Sequence, residues 1–368
     1  MRLLWKLALA LAVLLLVLAL LLAAPVTTWR TGETSMPALD LIPGRAVPAM
    51  ASRVWIDTDA ACGTGTRRDP DDCLALLALL EDPLLDVVGV STVFGNAPEP
   101  TTQGVTRELV ARINAQRPVP VRVFGGAPHA WGPVAEPAQL PAHRAIASAL
   151  ADGPLTFIAL GPLTNLAAAV GGSPDVQRNL AGIVAVMGRR PGHRFHPSEG
   201  TSIGAMLFGH GPVFSDLNLA LDPPAAEQVI GWRRPLVLLP YEAARHVEMD
   251  AQALDALGAR SEAGQWVAQR SRQWLTLWQQ EVGRQGFFPF DLMAAAFMLD
   301  PGQFRCAKVT LEVAADPLFG FWQRGPALLV AQHPSSAPAP AAAAHAYYCA
   351  DLVGALQRPW PVRRAGDR

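Results

Sequence analysis

Arg53-Val54-Trp55-Ile56-Asp57-Thr58-Asp59, followed across residues 60–70 by Asp71-Asp72-Cys73-Leu74-Ala75-Leu76, is the stretch on which the reading of this chain turns. Its first part has the length and apolar run of a buried strand, and it ends in two carboxylates. Its second part opens on an acidic pair and continues in good helix formers, so a helix is expected over Asp71 to Glu81. The alternation persists downstream. Strands are expected at Val87 to Phe94, Val119 to Phe124 and Leu155 to Leu160, and helices at Thr102 to Ala115 and His143 to Ala151. Further strands are expected near Ile183 to Met187, Leu236 to Leu239, Val309 to Val313 and Ala327 to Val330. Strands that are apolar throughout and separated by helices predict an α/β fold, a mostly parallel open sheet with helices on both faces. No internal repeat interrupts it, and Pro334 to Pro340 reads as a solvated loop.

Ligands of such sheets bind at the carboxyl ends of the strands, where Asp57 and Asp59 fall. With Asp71 and Asp72 beginning the next helix, four carboxylates meet at one strand end and repel each other unless a cation compensates them. A hard cation with oxygen ligands suits them, and Ca²⁺ tolerates the irregular geometry of loops. Capping of a helix would explain Asp71 and Asp72 but not the strand-end pair.

These residues resemble the inosine-uridine preferring nucleoside hydrolases, whose opening signature is an Asp-x-Asp strand end, a short turn and an Asp-Asp pair. Here the turn is expanded to Ala60 through Pro70. The resemblance continues in Gly89-Val90-Ser91-Thr92-Val93-Phe94-Gly95-Asn96, in Ala159-Leu160-Gly161-Pro162-Leu163-Thr164-Asn165-Leu166, in Ser215-Asp216-Leu217-Asn218 through Asp222-Pro223, and in Asp291-Leu292-Met293-Ala294-Ala295-Ala296. It implies that Asp59 binds Ca²⁺ and takes the proton of the attacking water. Asp72, the backbone carbonyl of Thr164 and Asp291 would complete the metal site, Asp291 also reaching the ribose. Asp71 and Asn218 would hold the ribose hydroxyls with support from Asn96, and Asp216 and His210 would stand near the 5′ end of the sugar. The implied reaction is calcium-dependent hydrolysis of the N-glycosidic bond of a ribonucleoside.

That chemistry passes through an oxocarbenium-like sugar, which carboxylates stabilise, and it needs a leaving base that can depart. The family often places a proton-donating His directly before the late Asp; this chain has Phe290. Trp274 and Trp278, one helical turn apart, share a face, so stacking of a purine between rings is the expected substitute, core packing being the alternative. His129 and His246 read as loop or surface residues.

Two rival functions remain in view. A dehalogenase-like phosphatase also begins with Asp-x-Asp but needs a lysine in its site, and outside the first residues only Lys308 exists, on an expected late strand. A non-catalytic extracytoplasmic module that binds nucleoside or ribose would keep the grip and lose the acid; retention of Asp59 speaks for the enzyme. Binding to nucleic acid through bulk charge is excluded by 30 Lys+Arg against 31 Asp+Glu. With 51% hydrophobic and 17% charged residues the chain is too apolar to be disordered.

Arg2 and Lys6 precede an apolar run from Leu7 to Ala24, about 27 Å as a helix, and Pro25 ends it. No small-x-small site follows directly, so an uncleaved signal anchor is expected, with a cleaved signal peptide and a secreted product as the alternative. Either way the domain, expected over residues 53–368 behind a linker at 26–52, faces the periplasm or another extracytoplasmic space, the anchor lying in the inner membrane. A homo-oligomer is left as an open expectation. Export makes a Cys62–Cys73 bridge plausible, the alternative being a buried Cys73 on a helix.

Overall fold

The computed structural model describes residues 5–6, 9–18, 40–131, 140–188, 216–318, 322–332 and 344–362. Strands β1 (Ile42–Pro43), β2 (Arg53–Thr58), β3 (Asp86–Thr92), β4 (Val123–Phe124), β5 (Leu155–Ala159), β6 (Leu180–Ala185), β7 (Leu236–Leu238), β8 (Phe304–Leu318), β9 (Trp322–Gln332) and β10 (Ala344–Leu352) form one sheet. Its order is β1-β8-β10-β7-β6-β5-β2-β3-β4, with β9 paired to β8. From β10 to β4 all neighbours are parallel, whereas β8 runs antiparallel to β10 and to β9 and β1. The chain steps outward from β2 through β3 to β4 and then returns to the other side of β2 as β5. The strand order therefore reverses between β2 and β5, and the crevice at their carboxyl ends is the place where this architecture holds a ligand.

Two cores sandwich the sheet. On one face Val54, Ile56 and Val90 pack under α1 (Asp71–Glu81), α2 (Glu99–Asn114) and later helices. On the other Trp55, Phe157 and Leu238 pack under α3 (Pro141–Ala151) and α4 (Thr164–Val170). Alternation along β2 assigns Ile56 to one face and Trp55 to the other, because successive side chains of a strand point oppositely. Helix α1 is buried over ten of its eleven residues, which explains why it is apolar all round rather than on one stripe.

The expected elements are present with shifted ends. The expected strand from Val119 shrinks to two residues, since Val119 is exposed at the sheet margin and Asn114 holds Val121 in a turn through its side chain. β1 and β10 lack a sequence signal of their own: β1 is two residues long and β10 is alanine-rich with two tyrosines. Part of the stretch read as a linker belongs to the domain, because Ile42 and Pro43 pair with Cys306 and Arg305. Two disulfides close the structure: Cys62–Cys73 across the expanded turn, and Cys306–Cys349 between directly opposed residues of β8 and β10.

At the N-terminus residues 9–18 are helical and exposed. No helix among the described residues is long and apolar enough to cross a membrane. The expected span Leu7 to Ala24 extends beyond the described residues, as do most of the linker and the Pro334 to Pro340 loop.

Candidate active site

Because β2 ends at the switch point, its last residues are delivered into the crevice. Thr58 Oγ1 donates to Asp72 Oδ1, which also accepts from the Asp59 backbone N–H at 3.1 Å. The Asp59 carboxylate is fixed from the neighbouring strand end, Asn96 N–H reaching Oδ2 at 2.7 Å. Gly95 permits this approach: a Cβ there would collide with the Asp59 carboxylate. Asp71 binds Asp72 N–H through Oδ1 and Asp291 N–H through Oδ2, both at 3.1 Å. Asp291 stands at the start of α8 (Leu292–Leu299), counted after α5 (Leu217–Leu221), α6 (Pro223–Gly231) and α7 (Glu262–Leu277). The carboxylates thus gather at the N-termini of α1 and α8, whose dipoles favour negative charge.

Asp59, Asp71, Asp72 and Asp291 are each at most 5% exposed. Burial, then the charge of Asp72, raises Asp59 well above the ordinary carboxylate value, and burial with the charges of Asp71 and Asp72 does the same to Asp291. Burial and Asp72 lift Asp71 to about 7. Burial also raises Asp72, opposed by the hydrogen bond from Thr58, and Asp69 is raised by burial and by Asp71. Asp71, Asp72 and Asp291 can present oxygens within 4.8 Å of one another, a spacing one cation can span. The set is all carboxylate oxygen, so its chemistry fits a hard metal ion.

This arrangement fixes a pH dependence. In the unfolded chain these groups titrate near 3.8, whereas the fold holds Asp71 at about 7. Across that window the folded protein binds more protons, so stability without metal falls as pH rises, by up to about 1.4 kcal/mol per pH unit per group. Chelator-treated protein should melt higher at pH 5 than at pH 8, and added metal should remove most of the difference. A metal-free protein that is more stable at pH 8 would contradict it.

The crevice widens into a cavity of about 270 Å³. It is lined by the aspartate group with Asn96, by the aromatic side chains Tyr241, Trp274, Trp278 and Phe290, and by Leu160, Asp216 and Asn218 among others. Asn218 spends both N–H groups on the Leu160 and Val186 carbonyls, at 2.7 and 2.9 Å, which leaves Oδ1 for a ligand hydroxyl. Asp216 caps α5 through Leu219 N–H at 3.2 Å and ties Gly188 N–H at 2.6 Å, so it serves the backbone as well as the cavity. Asn96 also donates its side-chain amide to the Asp69 carbonyl at 2.8 Å, supporting the turn.

Thr164 is buried at the first turn of α4 outside the cavity lining, its hydroxyl donating to Asp222 at 2.6 Å. His210 lies outside the described residues. His129 is exposed, and His246 sits 3.3 Å from Asp351 rather than in the cavity. Exposed Lys308 on β8 is likewise no part of the cavity, which removes the phosphatase alternative.

The tryptophans need a correction. Their ring centroids are 6.3 Å apart at 60°, and Trp278 meets Phe288 edge-on at 5.0 Å. A tilted, touching pair leaves no slot between its rings, so a base can lie against these rings but not between the two indoles. They line the cavity and belong to the core at once. Trp278 also begins a π-helical turn, Trp278–Val282, a form frequent at functional sites.

Sequence reasoning missed three contributors. Gly95 has no functional signal of its own in the sequence, although its lack of a side chain is what admits Asp59. Tyr241 opens a short helix with no periodic signal. Arg67 lies in the expanded turn, where spacing says nothing about direction.

A doubly wound α/β sheet that gathers buried carboxylates at its switch point beside aromatic side chains is an architecture with a ligand site suited to a hard cation. The model of the inosine-uridine preferring nucleoside hydrolases matches residues 54–347, and the chain belongs to that family. The family places it among enzymes that hydrolyse N-glycosyl bonds of ribonucleosides and typically use a metal ion. The chain is 25% identical over 287 residues to an uncharacterised protein of Schizosaccharomyces pombe, covering 71% of this chain and 84% of the other. It is 28% identical over 213 residues to the pyrimidine-specific ribonucleoside hydrolase RihA of Escherichia coli, covering 51% of this chain and 63% of RihA. Among solved structures, a plant nucleoside hydrolase superposes with TM-score 0.64 at 19% identity, over 82% of this chain and 94% of that one. A purine-preferring ribonucleoside hydrolase from Gardnerella vaginalis does so with TM-score 0.59 at 18% identity, with the same coverages. At such identities the structural neighbours establish the fold.

Proposed function

We propose that this protein hydrolyses the N-glycosidic bond of ribonucleosides with Ca²⁺ held by Asp59, Asp72, Asp291 and the Thr164 carbonyl, favouring purines. The observation that carries this reading is the convergence of buried aspartates, several raised in pKa, and aromatic side chains in one cavity of about 270 Å³. Calcium supplies the positive charge that lets these carboxylates ionise and acidifies water. Asp59, anchored by Asn96, accepts the proton of the attacking water. Asp71 and Asn218 grip the vicinal diol, so a missing hydroxyl leaves their polar atoms unpaired and deoxy analogues are rejected. The carboxylates stabilise the cationic sugar as the bond to the base lengthens.

Base choice rests on this chain's own aromatic side chains, since relatives include a pyrimidine-specific enzyme and a purine-preferring one. The rings of Trp274, Trp278 and Phe290 offer more contact to a bicyclic base than to a monocyclic one. Reducing-sugar release by the full chain should be faster from inosine and adenosine than from uridine. Trp278→Ala should lower purine turnover far more than turnover of p-nitrophenyl riboside, whose leaving group needs little help; equal losses would make Trp278 structural only. Phe290 keeps the binding-module alternative distinct: calorimetric nucleoside binding without ribose release from any substrate would favour it.

The two disulfides suit an oxidising compartment and support export. We place the domain on the extracytoplasmic side, tethered by Leu7 to Ala24. Protease added to intact spheroplasts should remove it, and protection would contradict the orientation.

A further inference from the structure

Arg67 is the single cationic side chain among the described residues that line the cavity, beside Asp59, Asp69, Asp71, Asp72, Asp216 and Asp291. Its Nη2 reaches Glu281 Oε2 at 3.0 Å and Oε1 at 3.2 Å. Glu281 lies three residues beyond Trp278 in the same π-helical turn, so the ion pair ties the Arg67 side chain to the element that carries one of the lining tryptophans. Both partners are partly open to solvent, 56% and 32% exposed at their side chains, and such a pair stabilises by little and can yield to a better acceptor.

The segment carrying Arg67 is held at several points. The Cys62–Cys73 bridge joins the turn to α1 directly beside Asp72. Gly63, at φ +74°, lies flat on α7, where a Cβ would stand 2.6 Å from Arg270 Cγ. Arg68 donates to the Asn96 carbonyl and Thr64 closes onto the Ala61 carbonyl at 2.7 Å. An ordinary surface loop would have no need of this many ties; one that must aim a side chain does.

We propose that Arg67 stabilises the departing base, doing electrostatically what Phe290 cannot do by donating a proton. The inference rests on the hydrolytic reading. As the C1′–N bond breaks, its electron pair passes to the base. The oxygen of water bonds to C1′, and the water proton goes to Asp59. The base leaves with anionic character, Arg67 exchanges Glu281 for hydrogen bonds to a base nitrogen or oxygen, and the base then takes a proton from solvent. Asp59 returns its proton to solvent, so the balance is nucleoside plus water to ribose plus base. Arg67 remains protonated throughout, which its high pKa requires.

The test measures kcat/KM of the full-length protein and of Arg67→Met for a series of aryl ribosides and purine nucleosides spanning leaving-group pKa. Removing one preorganised donor costs about 10²–10³-fold in such sites. The loss in Arg67→Met should therefore approach 10²-fold on inosine and shrink steadily toward p-nitrophenyl riboside, steepening the leaving-group plot, with Arg67→Lys partly restoring the slope. Parallel lines for wild type and variant, or an unchanged inosine rate, would overturn the role of Arg67. A wild type that cleaves no member of the series would overturn the hydrolytic reading instead.

Discussion

Asp59→Asn should lower kcat by about 10²–10⁴-fold, the usual contribution of a positioned base, while leaving the fold intact. The amide is isosteric and its oxygen can still accept the Asn96 N–H that now binds Oδ2. A second effect has the opposite sign. The Asp59 charge is among those that raise Asp291, so its removal relieves repulsion in the metal-free protein. The variant should be nearly inactive yet, in chelator at pH 8, melt above the wild type. Wild-type turnover by Asp59→Asn would exclude Asp59 as the base.

Gly95→Ala should cost about 10²-fold in kcat, because the new methyl group and the Asp59 carboxylate cannot occupy the same space and displacement of a reacting group by about 1 Å has that consequence. Gly95 donates its backbone N–H to the Ala97 carbonyl at 3.1 Å, a contact that the substitution leaves available. Loss of rate with little change in circular dichroism separates a displaced base from a collapsed strand end. A fully active Gly95→Ala would mean that Asp59 is not held where the structure puts it.

The parallel half of the sheet was legible because β2, β3, β5 and β6 are buried on both faces and carry continuous apolar runs. The antiparallel margin was not: the alanine-rich stretch of β10 advertises neither period. Asp57 shows how a motif can conceal two duties. Its side chain is outside the cavity lining and accepts from Ser91 and Asn165, in a buried network that includes Trp55 Nε1 to Ser91 at 2.8 Å. It therefore braces the strand end, whereas Asp59 faces the cavity. The aspartates could be read because chemistry leaves few uses for so many carboxylates at one strand end. The tilt of Trp274 against Trp278 could not, since helical spacing gives a shared face and no ring angle. Cys306 and Cys349, 43 residues apart, become opposed only through strand register.

The central claim is that the aspartate cluster is a metal site that drives nucleoside hydrolysis. The direct measurement is ribose release from inosine by chelator-stripped full-length protein while Ca²⁺ is added back, with calcium binding followed in the same samples. The account predicts negligible release without metal and a rise that tracks occupancy of one ion per chain, with Asp72→Asn shifting binding and turnover together to higher Ca²⁺. Full turnover in excess chelator, or an Asp72→Asn protein that binds calcium and turns over like the wild type, would contradict it.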